Sequence, residues 1–442
     1  LALTLENLEL PIDATRHYME AVRFRPFSPP IWQALGTLLL QQGRVEAAIE
    51  AFRTGVEQDP SSAEMHGDLL LALHYDTRAT PESIASEHRR YGERHGAQQP
   101  FDPHANDPDP ERALRIAYVS SDFYHHPVMR FFAPIAGSHD RTQFHLAFFS
   151  SSRRQDEVTS AMRAIAGDYH DVRELSDSAL DTLIRNERID ILVDLTAHTS
   201  VARLGALKRK PAPIQFSYIG YPDTTGLAAF DYRLTDRWAD PPGSEAFHTE
   251  ELVRMPHGFL CYAPPGNLPA IGPPPSIANG FVTFGSFSKP AKWNRLVIET
   301  WSRILRDAPR SRLILHHSSS TVGSAVDFLA AFLAHGIAPD RIDIAGRLDD
   351  SDHFNLYNSV DVILDTFPYA GTTSTYEALW MGVPVVTLAG AAHAGRTGVS
   401  ILNQAGKPEW IAEDIEGYLQ RAAGLAADLG LRVDWRDSAR KK

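Results

Sequence analysis

Lys289, Lys292, Thr372, Thr373, Ser374 and Glu377 all sit in polar loops or helix starts that follow apolar runs. Each is a residue type able to handle phosphate or sugar. A loop lysine such as Lys292 can neutralise charge on a departing diphosphate. Thr372, Thr373 and Ser374 follow Val362-Ile-Leu364 and Gly371, where a helix is expected to open. Hydroxyl residues there would cap free backbone N–H groups. A helix start with spare donors and a positive dipole end suits a phosphate. Glu377 lies one turn further, where an acid can accept from the two hydroxyls of a ribose. The segment therefore reads as a nucleoside-diphosphate site, although an ordinary crossover whose threonines only cap has the same local pattern.

Proton chemistry has its own candidates. His126 stands before Pro127, and Asp194-Leu-Thr196-Ala-His198-Thr199 directly follows the apolar run Ile189–Val193. An imidazole titrates near neutral pH, so His126 or His198 could accept a proton. Asp194 could orient an imidazole or act as the base itself. His353 could stack on a nucleotide base. Gly390-Ala-Ala-His-Ala-Gly395-Arg396-Thr397 comes close to a phosphate-binding P-loop, but Arg396 stands where lysine is required. A surface loop on the nucleotide side is the better expectation.

These residues need a scaffold that gathers strand ends. Apolar runs at Leu114–Val119, Phe144–Phe149, Ile189–Leu195, Ile214–Ile219 and Leu252–Met255 predict a first set of strands. Helices are expected near Val128–Gly137, Asp156–Ala166 and Asp177–Asn186. A second set of strands is expected at Phe281–Phe284, Arg312–His316, Ile342–Ala345 and Val362–Leu364, with helices at Asn294–Asp307, Val322–His335 and His353–Val360. Alternating strand and helix predict parallel sheets. Two such sheets joined by a Gly/Pro-rich hinge predict a ligand cleft between their carboxyl edges.

The first hundred residues differ. Trp32, Leu35, Gly36, Leu39, Ala48, Phe52 and Pro60 fit a tetratricopeptide pattern, and Ala14, Tyr18 and Pro26 repeat it one period of roughly 34 residues earlier. Gly36 would let two helices approach while Trp32 and Phe52 fill the seam. Such arrays hold extended peptides or partner proteins. The expected boundaries are helical repeats over 1–99, a proline-stiffened linker over 100–113, a first α/β lobe over 114–265, a hinge over 266–279 and a second lobe over 280–442. The tail after Glu416 shows no long closing helix.

Bulk properties exclude several classes. The chain has 442 residues, 43% of them hydrophobic, and a formal charge of −12, which argues against a general nucleic-acid binder. No apolar run approaches the roughly 18 residues of a membrane span. Leu1–Leu10 contains Glu6 and Glu9 and lacks a basic start, so no secretory leader is expected and a cytoplasmic location is. Leu1 is not a natural start residue, so the natural chain is expected to begin earlier. One cysteine, Cys261, excludes an internal disulfide, and the 19 histidines show no metal-ligand spacing, so no metal is expected.

Taken together the motifs resemble the O-linked N-acetylglucosamine transferases of glycosyltransferase family 41, in a bacterial-type form without a long insertion between the lobes. The resemblance rests on Tyr118-Val-Ser-Ser-Asp-Phe123 with His126-Pro127, Arg209-Lys-Pro-Ala-Pro-Ile-Gln215, Gly220-Tyr-Pro-Asp-Thr-Thr-Gly226, Asp231-Tyr232, Thr235-Asp236, Met255-Pro256 and Ala378-Leu-Trp-Met-Gly-Val-Pro-Val-Val-Thr-Leu388. It implies α-helical tetratricopeptide-like repeats followed by an α/β GT-B fold of two Rossmann-like lobes. The implied reaction is metal-independent, inverting transfer of N-acetylglucosamine from UDP-GlcNAc to Ser/Thr hydroxyls of proteins. Carried onto this sequence, the diphosphate lysine is Lys292, and the histidine before proline, as base or positioning group, is His126. The sugar-contacting loop is Thr196, His198 and Thr199, the nucleotide-contacting histidine His353, the hydroxyl pair Thr373 and Ser374, and the ribose acid Glu377. Thr372 and Lys289 depart from the animal pattern, which has histidine and glutamine there. The Gly371-Thr372-Thr373 form, Asp240-Pro-Pro242 and Phe259-Leu-Cys-Tyr262 also resemble SPINDLY-type protein O-fucosyltransferases, which use GDP-fucose. A scaffold that senses a nucleotide sugar without transferring it is the non-enzymatic alternative. The repeats would hold protein or peptide acceptors and could pair copies of the chain.

Overall fold

A computed structural model describes residues 1–8, 10–109, 111–199, 202–317 and 323–441. Val322 and Pro110, at the edges of an expected helix and linker, lie outside the described residues. The chain forms two compact units: Leu1–Met65, Ala72–Ala79 and Pro264–Lys442 make the first, and His66–Leu71 with Thr80–Ala263 the second. The helical residues expected over 1–99 divide between the two units.

In the first unit, helices Pro11–Phe24, Pro29–Gln41 and Val45–Gln58 form the repeat. Proline at the first position of two of them supplies a pre-set φ where no N–H is needed. A Cβ on Gly36 would come within 2.6 Å of the Phe52 ring, so glycine is what allows the close helix approach. Phe52, Ala48, Ala14 and Tyr18 are buried, as the period requires. The turn at Gly43 seats against the carbonyl of Pro290, which a Cβ would approach to 2.8 Å. That contact joins the repeat to the loop carrying Lys292.

The second unit holds strands β1 (Leu114–Ser120), β2 (Phe144–Ser150), β3 (Asp168–Asp171), β4 (Ile191–Asp194), β5 (Ile214–Ser217), β6 (Tyr232–Asp236) and β7 (Glu251–Met255). They pair in parallel in the order β3-β2-β1-β4-β5-β6-β7. Strands β3 and β6 were not legible. The segment Asp-Tyr-His-Asp of β3 is polar and lies at a sheet edge, where one-sided burial suffices. The helix Pro81–His95 belongs to this unit and starts with a Thr80/Ser83 capping box.

The first unit completes its fold with β8 (Thr283–Phe287), β9 (Arg312–His316), β10 (Ile342–Ala345), β11 (Val362–Leu364), β12 (Val385–Leu388) and β13 (Ile411–Ala412), also all parallel, in the order β10-β9-β8-β11-β12-β13. Both β8 and β11 are buried along their whole length, as strands covered on two faces are. Strand β8 runs later than the expected Phe281–Phe284, because Gly285 and Ser286 break the apolar pattern while both are buried, Gly285 under Val360.

The tail differs from the expectation. Helices Ile415–Ala427 and Leu429–Ser438 close the chain. Arg436 donates to the carbonyls of Val360 at 2.5 Å and Gly272 at 3.0 Å, strapping the last helix onto this unit. Among the described residues no helix is long and apolar enough to cross a membrane.

Candidate active site

In each sheet the strand order reverses once, and ligands of open α/β sheets bind at the carboxyl ends beside that reversal. In the first unit the reversal lies between β8 and β11, so the loops at 288–294 and 365–372 become neighbours. In the second unit it lies between β1 and β4, which pairs the loop at 121–128 with the loop at 194–199. The expected site residues concentrate in these four loops.

The lysine loop is fixed at both ends. Trp293 donates its indole N–H to Ser288 Oγ at 2.8 Å, and Asn294 caps the helix Arg295–Asp307 through Val297 N–H at 3.0 Å. Asn294 also donates to the Phe367 carbonyl at 2.6 Å, tying the two loops together. Lys292 is half-buried, and its Nζ donates to the Ala370 carbonyl at 2.7 Å while resting 4.0 Å from the centre of the Tyr369 ring. Desolvation pulls its pKa down to about 7, against the attraction of Asp365 and with the help of neighbouring Lys289. Lys289 itself is exposed.

Asp365 organises the opposite loop. Its carboxylate accepts from Gly371 N–H at 2.6 Å, Thr366 N–H at 2.8 Å and Thr387 hydroxyl at 2.7 Å. Burial nevertheless raises its pKa. A Cβ on Gly371 would sit 2.8 Å from both Ser374 Oγ and Thr375 Oγ1, so the chain passes there without room for a side chain.

The helix Thr373–Trp380 follows, with Thr372 at the N-cap position and no side-chain cap bond. This corrects the expectation that the hydroxyls cap. The first-turn N–H groups of a helix have no partner within it, so these remain available to a ligand. Gly382, at φ 71°, ends the segment.

His353 does not open its helix. That helix starts at Asp350 behind the Asp349 cap, which places His353 one turn in. Its Nε2 meets Glu377 Oε2 at 2.9 Å, and Tyr357 donates to the same oxygen at 3.2 Å. Both bonds fall on Oε2. The His353 ring also faces His316 at 5.0 Å, and burial, with His353 adding to it, holds the His316 pKa down to about 4.

The P-loop-like segment is no surface loop. His393, Ala394 and Gly395 are buried, Ala394 accepts from Ala370 N–H at 2.9 Å, and Thr397 donates to the Gly371 carbonyl at 3.1 Å. It braces the loop that carries Tyr369.

In the second unit, Asp194 is buried with both oxygens engaged, from Thr196 N–H at 3.2 Å and Ala197 N–H at 2.9 Å. Desolvation, with Asp122 adding to it, raises its pKa to about 7. The aspartate thereby holds a turn in which Ala197 adopts a left-handed φ of 43°. Thr196 accepts from Ser121 N–H at 3.2 Å, joining the two loops, and Thr199 donates to the Thr196 carbonyl at 2.8 Å. His198 is held from outside its own loop. Its Nε2 lies 2.8 Å from the Thr225 carbonyl and must carry the proton to make that bond. Its ring is buried against Tyr91 at 4.5 Å and Tyr221 at 5.0 Å, so it braces the loop. His126 is half-buried, its Nδ1 3.7 Å from Asp122 Oδ2 and 3.4 Å from Val128 N–H.

Tyr369, Asp365, His316 and Asp122 were not selected from the sequence. For Asp365 the signal was its place at the end of an apolar run, and for Tyr369 there was none.

Similarity to known proteins agrees with this layout. The family model "Glycosyl transferase family 41" matches residues 58–263 and 276–442, and a tetratricopeptide repeat model matches 29–73. Among curated proteins, the tomato (Solanum lycopersicum) "Probable UDP-N-acetylglucosamine--peptide N-acetylglucosaminyltransferase SPINDLY" is 39% identical over 390 residues, covering 87% of this chain and 42% of the relative. The Arabidopsis thaliana protein of the same description named SEC is 30% identical over 326 residues, covering 71% of this chain and 33% of the relative. This chain thus spans well under half the length of these curated relatives. A solved structure of a Thermobaculum terrenum O-GlcNAc transferase mutant superposes with a TM-score of 0.95 at 35% identity, covering 100% of this chain and 84% of that one. Helical repeats ahead of two Rossmann-like lobes, and a family match running across both lobes, lead to one conclusion: the chain belongs to glycosyl transferase family 41.

Proposed function

We propose that this chain is an inverting protein O-glycosyltransferase that moves N-acetylglucosamine from UDP-GlcNAc to Ser/Thr hydroxyls of proteins, without a metal ion. The observation that carries the reading is Lys292, half-buried beside the uncapped helix start at Thr373. A cation and a set of free N–H donors next to each other suit the charge that develops on a leaving diphosphate. The donor identity follows what the similar proteins are named for.

In the reaction, the acceptor hydroxyl oxygen bonds to the anomeric carbon from the face opposite the diphosphate. The bond from that carbon to the diphosphate oxygen breaks, and UDP leaves with the electron pair. Lys292 and the N–H groups of the helix start meet the new charge, Glu377 Oε1 accepts from the ribose, and His126 takes the hydroxyl proton. Asp194 and His198 keep the loop of Thr196 and Thr199 in shape. The helical repeats present the acceptor, and the reaction belongs to the cytoplasm.

The test is transfer of labelled sugar from UDP-GlcNAc and from GDP-fucose to a Ser/Thr peptide library. Labelled product from UDP-GlcNAc alone is expected, and Lys292→Ala should lower turnover by about 10²–10³-fold, the usual cost of removing one oxyanion donor. Product only from GDP-fucose would move the donor assignment. Donor binding with no product on any peptide would make the chain a sensor.

A further inference from the structure

Tyr369 has two neighbours whose combination is informative. On its ring rests Lys292 Nζ, 4.0 Å from the centroid. Against it packs Tyr75, with ring centroids 5.0 Å apart and planes inclined by 37°, and His74 follows at 6.3 Å. Tyr75 is 6% exposed and lies just beyond the helix Ala63–Leu73. The helical region therefore reaches both loops around Lys292, the lysine loop at Gly43 on Pro290 and the facing loop at Tyr75 on Tyr369.

A lysine side chain has four rotatable carbons and a compact charge, so its ammonium is easily misplaced. Here one of its three N–H donors is spent on Ala370 O and an aromatic face supports the rest. That support holds only if the ring is itself held. Tyr369 is half-buried, and the ring behind it comes from the helical region.

We propose that Tyr75 and Tyr369 are positioning residues for Lys292, so that the helical region forms part of the donor half-site as well as presenting acceptors. This rests on the reading of Lys292 as the group that meets the diphosphate.

The test is a double-mutant cycle on the full chain, read as affinity for UDP, or for GDP if the chain selects guanine. Tyr75→Leu and Tyr369→Leu should each weaken binding by roughly two- to tenfold, the range of an aromatic pair. Tyr75→Phe, which keeps the ring, should restore it. In a Lys292→Ala background the same leucine substitutions should change affinity by less than about twofold, since a residue that acts through Lys292 has nothing left to position. Equal losses in both backgrounds would overturn the proposal. If Tyr75→Leu fails to fold, the Tyr369/Lys292 cycle decides by the same rule. Should Lys292→Ala leave diphosphate affinity unchanged, the functional reading itself fails, which is a different result from additivity.

Discussion

Lys292 is the residue whose charge state governs the rest. With its pKa lowered to about 7 by desolvation, the free side chain is an ammonium below that pH and neutral above it. A bound diphosphate favours the ammonium, so binding above pH 7 must take up a proton. The expected result is diphosphate affinity that falls as pH rises from 6 to 8.5, by up to about tenfold per unit above 7. Calorimetry in buffers of different ionisation enthalpy would reveal the uptake, and Lys292→Ala should abolish both slope and uptake. A flat pH profile in the wild type would contradict the assignment. Asp194 has the opposite sign. Its folded pKa is raised from 3.8 to about 7, so its contribution to stability is complete below 3.8 and is lost as pH rises through 7. Asp194→Asn should flatten that fall in the thermal midpoint. It should also destabilise the fold by about 1–3 kcal/mol, because the amide's NH₂ group would face one of the two N–H groups that now donate to the carboxylate.

Among the elements, the loop between β11 and the helix Thr373–Trp380 is the most exacting. Gly371→Ala would push a Cβ into Ser374 and Thr375 at the helix start. A loss of at least about tenfold in diphosphate affinity is expected, with little change in global unfolding. Gly36→Ala should do the reverse. It crowds the Phe52 ring, costs about 1–3 kcal/mol of stability and leaves donor affinity within about twofold. Most of these elements were legible because buried parallel strands read as apolar runs bounded by loops. Strands β3, β6 and β13 were not: β3 is a polar edge, β6 alternates apolar and polar residues, and β13 is only two residues long. Tyr369 and Asp365 escaped notice because their roles exist only once β8 and β11 are neighbours. His198 looked like a proton acceptor in sequence. One of the two tyrosines that enclose it, Tyr91, comes from a helix about a hundred residues earlier.

At the scale of the molecule, the helical region is no detachable arm. Tyr75 packs in the first unit, whereas His88 bonds Tyr221 at 2.8 Å and Tyr91 covers His198 in the second. A chain beginning at residue 100 is therefore expected to unfold at lower temperature than the full chain and to lose diphosphate binding. Turnover of the full chain should survive excess chelator, since a lysine and a helix start are proposed to meet the charge. The most direct measurement is calorimetric titration of wild type and Lys292→Ala with UDP, GDP, UDP-GlcNAc and GDP-fucose. UDP and UDP-GlcNAc are expected to bind the wild type, with affinity reduced by about tenfold or more in Lys292→Ala. No binding of any of the four, or equal affinity in the two proteins, would contradict the claim that Lys292 meets a sugar diphosphate.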